Sequence, residues 1–238
     1  MTRIGLGVRL PHRRGLATGF QPTKLPDLQL WLRGDLGITL NGADVSAWAD
    51  QSGQGNHFVQ ATEADQPVYD ATNSAFNDQA TLQGDAVSEH LESVGFTIAT
   101  ALDVFFVADA PPGPVAGIAR WGASVATPAY PWNDGNVYID IGSTVRQTVP
   151  AEADVVVPHY LEVISTSAEW TARITGVEKF TTGTNTFAWD AGVPRLFSSA
   201  AGDTYWAGTI AEVIAYDRKL SAAERAEVEA YIGARYGL

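Results

Sequence analysis

The run "LDVFFVADA", residues 102–110, places Val104 and Phe106 at one parity and Phe105 and Val107 at the other. Successive side chains of a strand point to opposite faces, so a run apolar at both parities needs cover on both sides. This segment is therefore expected to be a central strand between two packed layers. A second run tells of a different environment. "EWTARIT" (169–175) alternates cleanly, with Trp170, Ala172 and Ile174 on one side and Glu169, Thr171, Arg173 and Thr175 on the other. The pattern predicts one buried and one wet face.

Around these two runs, from Leu28 onward, many short apolar stretches are separated by Gly, Asn, Asp and Pro clusters, which is the pattern of an all-β sandwich or barrel. Strands are expected near 28–33, 46–50, 66–69, 79–83, 90–94, 102–109, 115–121, 136–141, 159–166, 169–175, 195–198 and 206–216. One helix is expected, at about 221–235. Ser221 and Glu224 have the spacing of a capping box, Val228, Tyr231 and Ile232 share a face, and Gly237 can end it. That helix should lie against the sandwich as a clasp. No internal repeat or low-complexity tract interrupts the pattern.

Charge divides the chain into two parts. Residues 1–26 carry Arg3, Arg9, Arg13, Arg14 and Lys24 with no acid, whereas the remainder holds 10 basic and 27 acidic residues, for a net charge of −12. Gly5, Gly7, Pro11, Gly15, Gly19, Pro22 and Pro26 break any period, so residues 1–26 are expected to form an extended basic arm and 27–238 a single β domain. An acidic body repels nucleic-acid phosphates and anionic membranes, so no nucleic-acid binding is expected of it. The chain has no Cys, which removes disulfides and thiolate metal sites. No stretch is long enough to span a membrane, and Arg and Pro interrupt the start where a signal peptide needs an apolar core. Folding in the cytoplasm is the expectation.

The segment "WADQSGQGNHFVQ" (48–60) concentrates Trp48, Asp50, Ser52, Gly53, Gly55, Asn56 and His57. Asp50 and Asn56 are weak candidates for hard oxygen ligands of calcium, but the segment has one carboxylate and lacks the alternating acids of a calcium loop. The competing structural reading has Asp50 and Ser52 bonding nearby backbone, Gly53 and Gly55 at positive φ, and Trp48 in the core. On that reading His57 is a strand residue. No cofactor is called for, and calcium stays open.

Three parts of the chain carry a resemblance. "GTIAEVIAYDRKLSAAERAEVEAYIGARYGL" (208–238) resembles the C-terminal part of concanavalin-A-like, laminin-G-like jelly-roll domains, with a last strand, a turn and a short helix ending in Tyr-Gly. "LQLWLRGDLGI" followed by "WADQSGQGNHF" resembles their N-terminal half. "ITGVEKF" (174–180) sits where the family has a strand and an Asn-Gly hairpin, with Thr175 replacing the Asn. The resemblance covers about 27–238 and implies a two-sheet antiparallel jelly roll that binds carbohydrate or protein partners, some relatives being glycan-cleaving enzymes. Fold alone does not decide among these.

Glycan cleavage requires paired carboxylates, and the enzymatic relatives carry them as Glu-x-Asp-x-x-Glu or close variants on one strand. No such run occurs here. "EHLES" puts Glu89 and Glu92 on opposite strand faces, Asp140 stands alone, and Glu212, between Ile210 and Ile214, reads as a paired structural carboxylate. No nucleophile elbow or phosphate loop is present. Catalytic residues are therefore expected to be none.

The better binding candidate is "TPAYPWNDGN" (127–136), where Tyr130 and Trp132 could stack on sugar C–H faces and Asn133, Asp134 and Asn136 could meet hydroxyls. In the alternative reading the two aromatics plug one end of the sandwich. The sequence thus points to a non-enzymatic, lectin-like structural or receptor-binding component of a bacteriophage virion. Its arm would dock on other virion proteins, and its jelly roll would project toward a host-surface glycan or protein. A carbohydrate-binding or adhesin-type module on a bacterial surface is the alternative, and a divergent polysaccharide hydrolase or lyase the third. No oligomer signature is visible.

Overall fold

A computed structural model describes residues 19–93, 95–123, 127–189, 193–199 and 204–238. Arg3, Arg9, Arg13 and Arg14 of the arm lie outside the described residues. The strands run in chain order as β1 (Leu28–Arg33), β2 (Ile38–Asn41), β3 (Asp44–Trp48), β4 (Phe58–Val59), β5 (Val68–Asn73), β6 (Gln79–Gln83), β7 (Leu91–Glu92), β8 (Leu102–Asp109), β9 (Ala119–Arg120), β10 (Val137–Ile139), β11 (Gln147–Val149), β12 (His159–Ser165), β13 (Trp170–Ile174), β14 (Val177–Thr182), β15 (Arg195–Leu196) and β16 (Thr209–Tyr216). A four-residue helix α1 (Glu152–Val155) precedes β12, and α2 (Ala222–Tyr236) follows β16.

All pairings are antiparallel. The hydrogen-bonded path runs β14-β13-β12-β8-β16-β6-β5-β3-β4-β7-β15-β9, with β1 also on β16, β2 on β3, and β10-β11 as a separate hairpin. The architecture is a β-sandwich carrying one C-terminal helix. Parity sorts the side chains between two apolar clusters. Leu30, Leu32, Val104, Phe106, Leu161, Val163, Val213 and Ala215 face the inter-sheet core with Trp48, Phe58, Leu91 and Leu196. Trp31, Phe105, Val107, Tyr160, Ile214 and Tyr216 face outward, where Val228, Ile232 and Tyr236 of α2 cover them. β8 is therefore buried on both faces, as its double-sided apolar run requires.

The helix begins and ends as its sequence dictates. The Ser221 side chain accepts from the Glu224 backbone N–H, Glu224 accepts from the Ser221 backbone N–H, and Gly237 takes the left-handed conformation at φ 75°. Arg218 holds the Glu224 carboxylate at 2.8 Å and keeps its carboxyl down at about 2, helped by the Ser221 backbone and side chain.

Three expectations need correction. The polar side of β13 is not wet: Thr171 is buried and Arg173 half-buried, because α2 lies over that face and its Glu229 reaches Arg173 at 3.3 Å. β2, β11 and β14 were not anticipated, since their outward residues are mostly polar or exposed and the apolar alternation is weak. The arm also ends earlier than Pro26. Pro22 is buried and its carbonyl accepts from the Tyr216 hydroxyl at 3.1 Å, while Phe20 packs on Tyr231.

Candidate functional site

The sandwich contains buried charge, and its location indicates its use. Glu212 is fully buried beneath α2, and three donors converge on it: Trp31 Nε1 at 2.5 Å, the Tyr231 hydroxyl at 2.9 Å and the Tyr236 hydroxyl at 2.7 Å. Burial raises its carboxyl and the three donors oppose that rise. A β-bulge between Ile210 and Glu212 lets this happen. It turns Ile210 toward the inter-sheet core and Glu212 outward with Ile214, so the two isoleucines lie on opposite faces rather than on one. Glu162 on β12 is likewise buried, with Arg173 Nε 2.7 Å and Arg225 Nε 2.5 Å away. Asp103 is fully buried and its carboxyl is pushed up, by burial first and by Glu162 second, while it accepts from Leu220 N at 3.1 Å. These acids hold the clasp helix to the sheet. None faces an open cleft.

The 48–60 segment is a turn held by one carboxylate. Asp50 Oδ1 accepts from the backbone N–H groups of Trp31 (3.0 Å) and Ser52 (2.8 Å), and Oδ2 from the Ser52 hydroxyl (2.7 Å) and Asn56 N (3.0 Å). Asn56 donates from Nδ2 to Gln29 O, and Gly53 and Gly55 sit at φ 89° and 78°. Both Asp50 oxygens thus serve backbone and hydroxyl donors, which fits the structural reading. His57 lies just before β4, not within a strand, and its Nδ1 accepts from Asp50 N at 3.0 Å. Among the described residues no group of three or more His, Cys, Asp or Glu side chains is arranged to hold a metal ion. Glu89 also precedes its strand rather than sitting on it, and burial with Asp85 and Asp44 nearby pushes its carboxyl up to about 7.

The 127–136 segment divides into two halves. Tyr130 is 1% exposed; its hydroxyl meets His159 Nε2 at 2.5 Å, and its carbonyl accepts from Trp206 Nε1 at 2.6 Å. It is a core anchor and cannot stack on a ligand, so the expectation that it lines the site is corrected. Two residues on, Trp132 is 43% exposed, and no other Trp, Phe or Tyr among the described residues is as open. Asn133, Asp134 and Asn136 form the turn into β10: Trp132 N bonds to Asn136 O at 2.9 Å, and Asp134 accepts from Asn136 N and from the Tyr138 hydroxyl at 2.6 Å. They shape the rim rather than line the floor.

Trp132 forms one wall of a cleft of about 670 Å³, which also presents Tyr138, Arg146, Tyr205, Pro114 and Pro128. The loops leading to β9, β10 and β16 converge there. Tyr138 comes from β10 and Arg146 from the connection just before β11, with the Arg146 guanidinium carbon 4.5 Å from the Tyr138 ring centroid. Tyr205 is backed by the His90 ring, with centroids 5.6 Å apart. Sequence reasoning missed Tyr138, Arg146 and Tyr205. Tyr138 lies within an apolar strand run, Tyr205 beside the buried Trp206 and Arg146 in a polar stretch, and only folding brings them beside Trp132. Among the described residues no carboxylate lines the cleft, and Asp134, in the turn before Tyr138, is engaged by the Tyr138 hydroxyl.

No family model matches the chain, and no curated protein matches its sequence. Solved structures do match its fold. Trypanosoma rangeli sialidase in complex with 2,3-difluorosialic acid aligns at TM-score 0.58 and 13% identity, covering 91% of this chain and 36% of the sialidase. The binding domain of botulinum neurotoxin serotype G aligns at 0.58 and 9%, covering 85% of this chain and 50% of the other. A GH54 α-L-arabinofuranosidase mutant soaked with 4-nitrophenyl α-L-arabinofuranoside aligns at 0.56 and 13%, covering 81% and 51%. These likenesses show the fold. The chain spans about a third to a half of each of these proteins. A β-sandwich is what they share with it.

Proposed function

We propose that this chain is a carbohydrate-binding β-sandwich module that grips a saccharide in the cleft walled by Trp132, Tyr138 and Tyr205 and does not cleave it. The observation that carries the reading is Trp132. An indole left open at the mouth of a concave, loop-built cleft, where the chain's other aromatic side chains are more deeply packed, offers a flat apolar face for sugar C–H groups. Solved structures of similar fold, the sialidase with 2,3-difluorosialic acid and the arabinofuranosidase soaked with an arabinofuranoside, hold sugar-derived ligands, which supports the same reading. Binding without cleavage is favoured because hydrolysis needs two carboxylates flanking the bond. Two fully buried acids, Glu162 and Glu212, are spent under α2 on Arg, Trp and Tyr donors, and a third, Asp103, on the Leu220 backbone N–H.

The test is a glycan panel with the wild-type chain and Trp132→Ala. Expected are binding to a defined subset of sugars, loss of about 2 kcal/mol or roughly 30-fold in the variant, and no reducing ends released. Turnover of any panel member, or binding indifferent to Trp132, overturns the reading. The particle-borne setting, with residues 1–26 docking the module on other virion proteins, is supported by the contrast between that basic arm and the acidic remainder. Co-purification with virions that persists after removal of residues 1–18 would overturn that docking role.

A further inference from the structure

We infer that the cleft selects an anionic saccharide, one bearing a carboxylate or sulfate group, and that Arg146 receives the charge. The inference rests on the carbohydrate reading above and adds the chemical class of the ligand.

Three observations about Arg146 carry it. The first is its lack of an acid partner. Arg33, Arg173, Arg195, Arg218, Arg225 and Arg235 each hold a carboxylate within 4.0 Å. Arg146 has none among the described residues, although the chain carries 27 acids and a net charge of −12. Acids are plentiful, yet none of the described ones pairs with this guanidinium, which stands in the wall of the cleft that presents an exposed Trp.

The second observation is that the group is held in place. Its Cζ lies 4.5 Å from the Tyr138 ring centroid, and Nη1 donates to Thr127 O at 2.6 Å. Stacking and one backbone bond fix the fork, so little rotamer freedom remains to be lost when an anion arrives. Nε and Nη2 make no hydrogen bond to another described residue. The third is the treatment of the nearby acid. Asp134 accepts from the Tyr138 hydroxyl at 2.6 Å and from Asn136 N at 3.1 Å, which fixes its carboxylate on the far edge of the Tyr138 ring and not against Arg146. The same cleft offers Trp132, Tyr205 and two prolines. A sugar ring stacked on the indole would thus bring a ring substituent toward a pre-set cation, and a guanidinium pairs with planar carboxylate or with sulfate through parallel N–H bonds.

The experiment measures affinity by calorimetry for matched acidic and neutral probes: galacturonic acid oligomers against the same oligomers with carboxyl groups reduced, sialyllactose against lactose, and a sulfated galactan oligomer against its desulfated form. With the wild-type chain at least one acidic member is expected to bind tenfold or more tighter than its neutral partner, as one charge-assisted hydrogen bond warrants. Arg146→Gln is expected to bring the ratio of acidic to neutral affinity down to about one. Arg146→Lys keeps the charge and should retain part of the ratio, which separates loss of charge from loosening of the 127 loop. Neutral partners bound as tightly as acidic ones by the wild-type chain would overturn the anionic inference and leave the saccharide site standing. No binding of any probe, with Trp132→Ala behaving like wild type, would overturn both.

Discussion

Single side chains in this molecule are most consequential where one group serves several backbone or hydroxyl donors. Asp50 is such a case, accepting from Trp31, Ser52 and Asn56 backbone N–H groups. Asp50→Ala should cost about 2–4 kcal/mol in urea unfolding, because buried donors lose their partner, and addition of a calcium chelator to the wild-type chain should leave the unfolding midpoint unchanged. A midpoint that falls with chelator would reinstate the metal reading. His159 provides a pH signature. Burial holds its imidazole down to about 4 against an ordinary value of 6.5, with Nδ1 donating to Val157 O and Nε2 accepting from Tyr130. The unfolded chain takes up the proton first, so this group's contribution is complete above about pH 6.5 and is withdrawn as pH falls toward 4, roughly 3 kcal/mol in all. His159→Phe should flatten that part of the stability profile; an unchanged slope would show that other groups set it.

Secondary elements were legible where burial on a defined face imposes a period. β1, β6 and β8 were read to the residue, and α2 from its cap and its apolar stripe. The strands that escaped notice are half-exposed edges and hairpin arms, held by register and turn geometry more than by apolar alternation. The β13-β14 hairpin illustrates this. Its two-residue loop has Thr175 at φ 46° and Gly176 at φ 76°, a loop that favours Asn-Gly, and a β-branched Thr is strained there. Thr175→Asn is expected to raise stability by about 0.5–1 kcal/mol in thermal or urea unfolding; a neutral or negative effect would mean that the Thr175 side chain makes an offsetting contact. The clasp itself is tested by Ile232→Ala, expected to cost about 2–4 kcal/mol by leaving a void against the outer face of the sheet.

For the molecule as a whole, the sequence disclosed the sandwich but only part of the cleft. Trp132 could be picked out because it stands in a proline-stiffened aromatic loop. Tyr138, Arg146 and Tyr205 could not, since what unites them is spatial convergence of loops separated by many residues. Tyr130 was misplaced for a related reason: neighbouring aromatics in an irregular segment carry no parity to say which points inward. The binding site therefore belongs to the tertiary scale, as sites mounted on rigid sandwiches commonly do.

One feature of the sheet bears on how the chain reaches this state at all. Trp31 of β1 and Glu212 of β16 are hydrogen-bonded across 181 residues, and β16 also pairs with β8 and β6. During synthesis β1 must wait for its sheet partner β16 until nearly everything between has left the ribosome, and β8 stays unpaired along one edge for most of that time. With Phe105 and Val107 bare meanwhile, the nascent polypeptide offers a sticky template to its neighbours, so recovery of native protein should depend on translation rate and holdase chaperones more than on the strength of the finished fold.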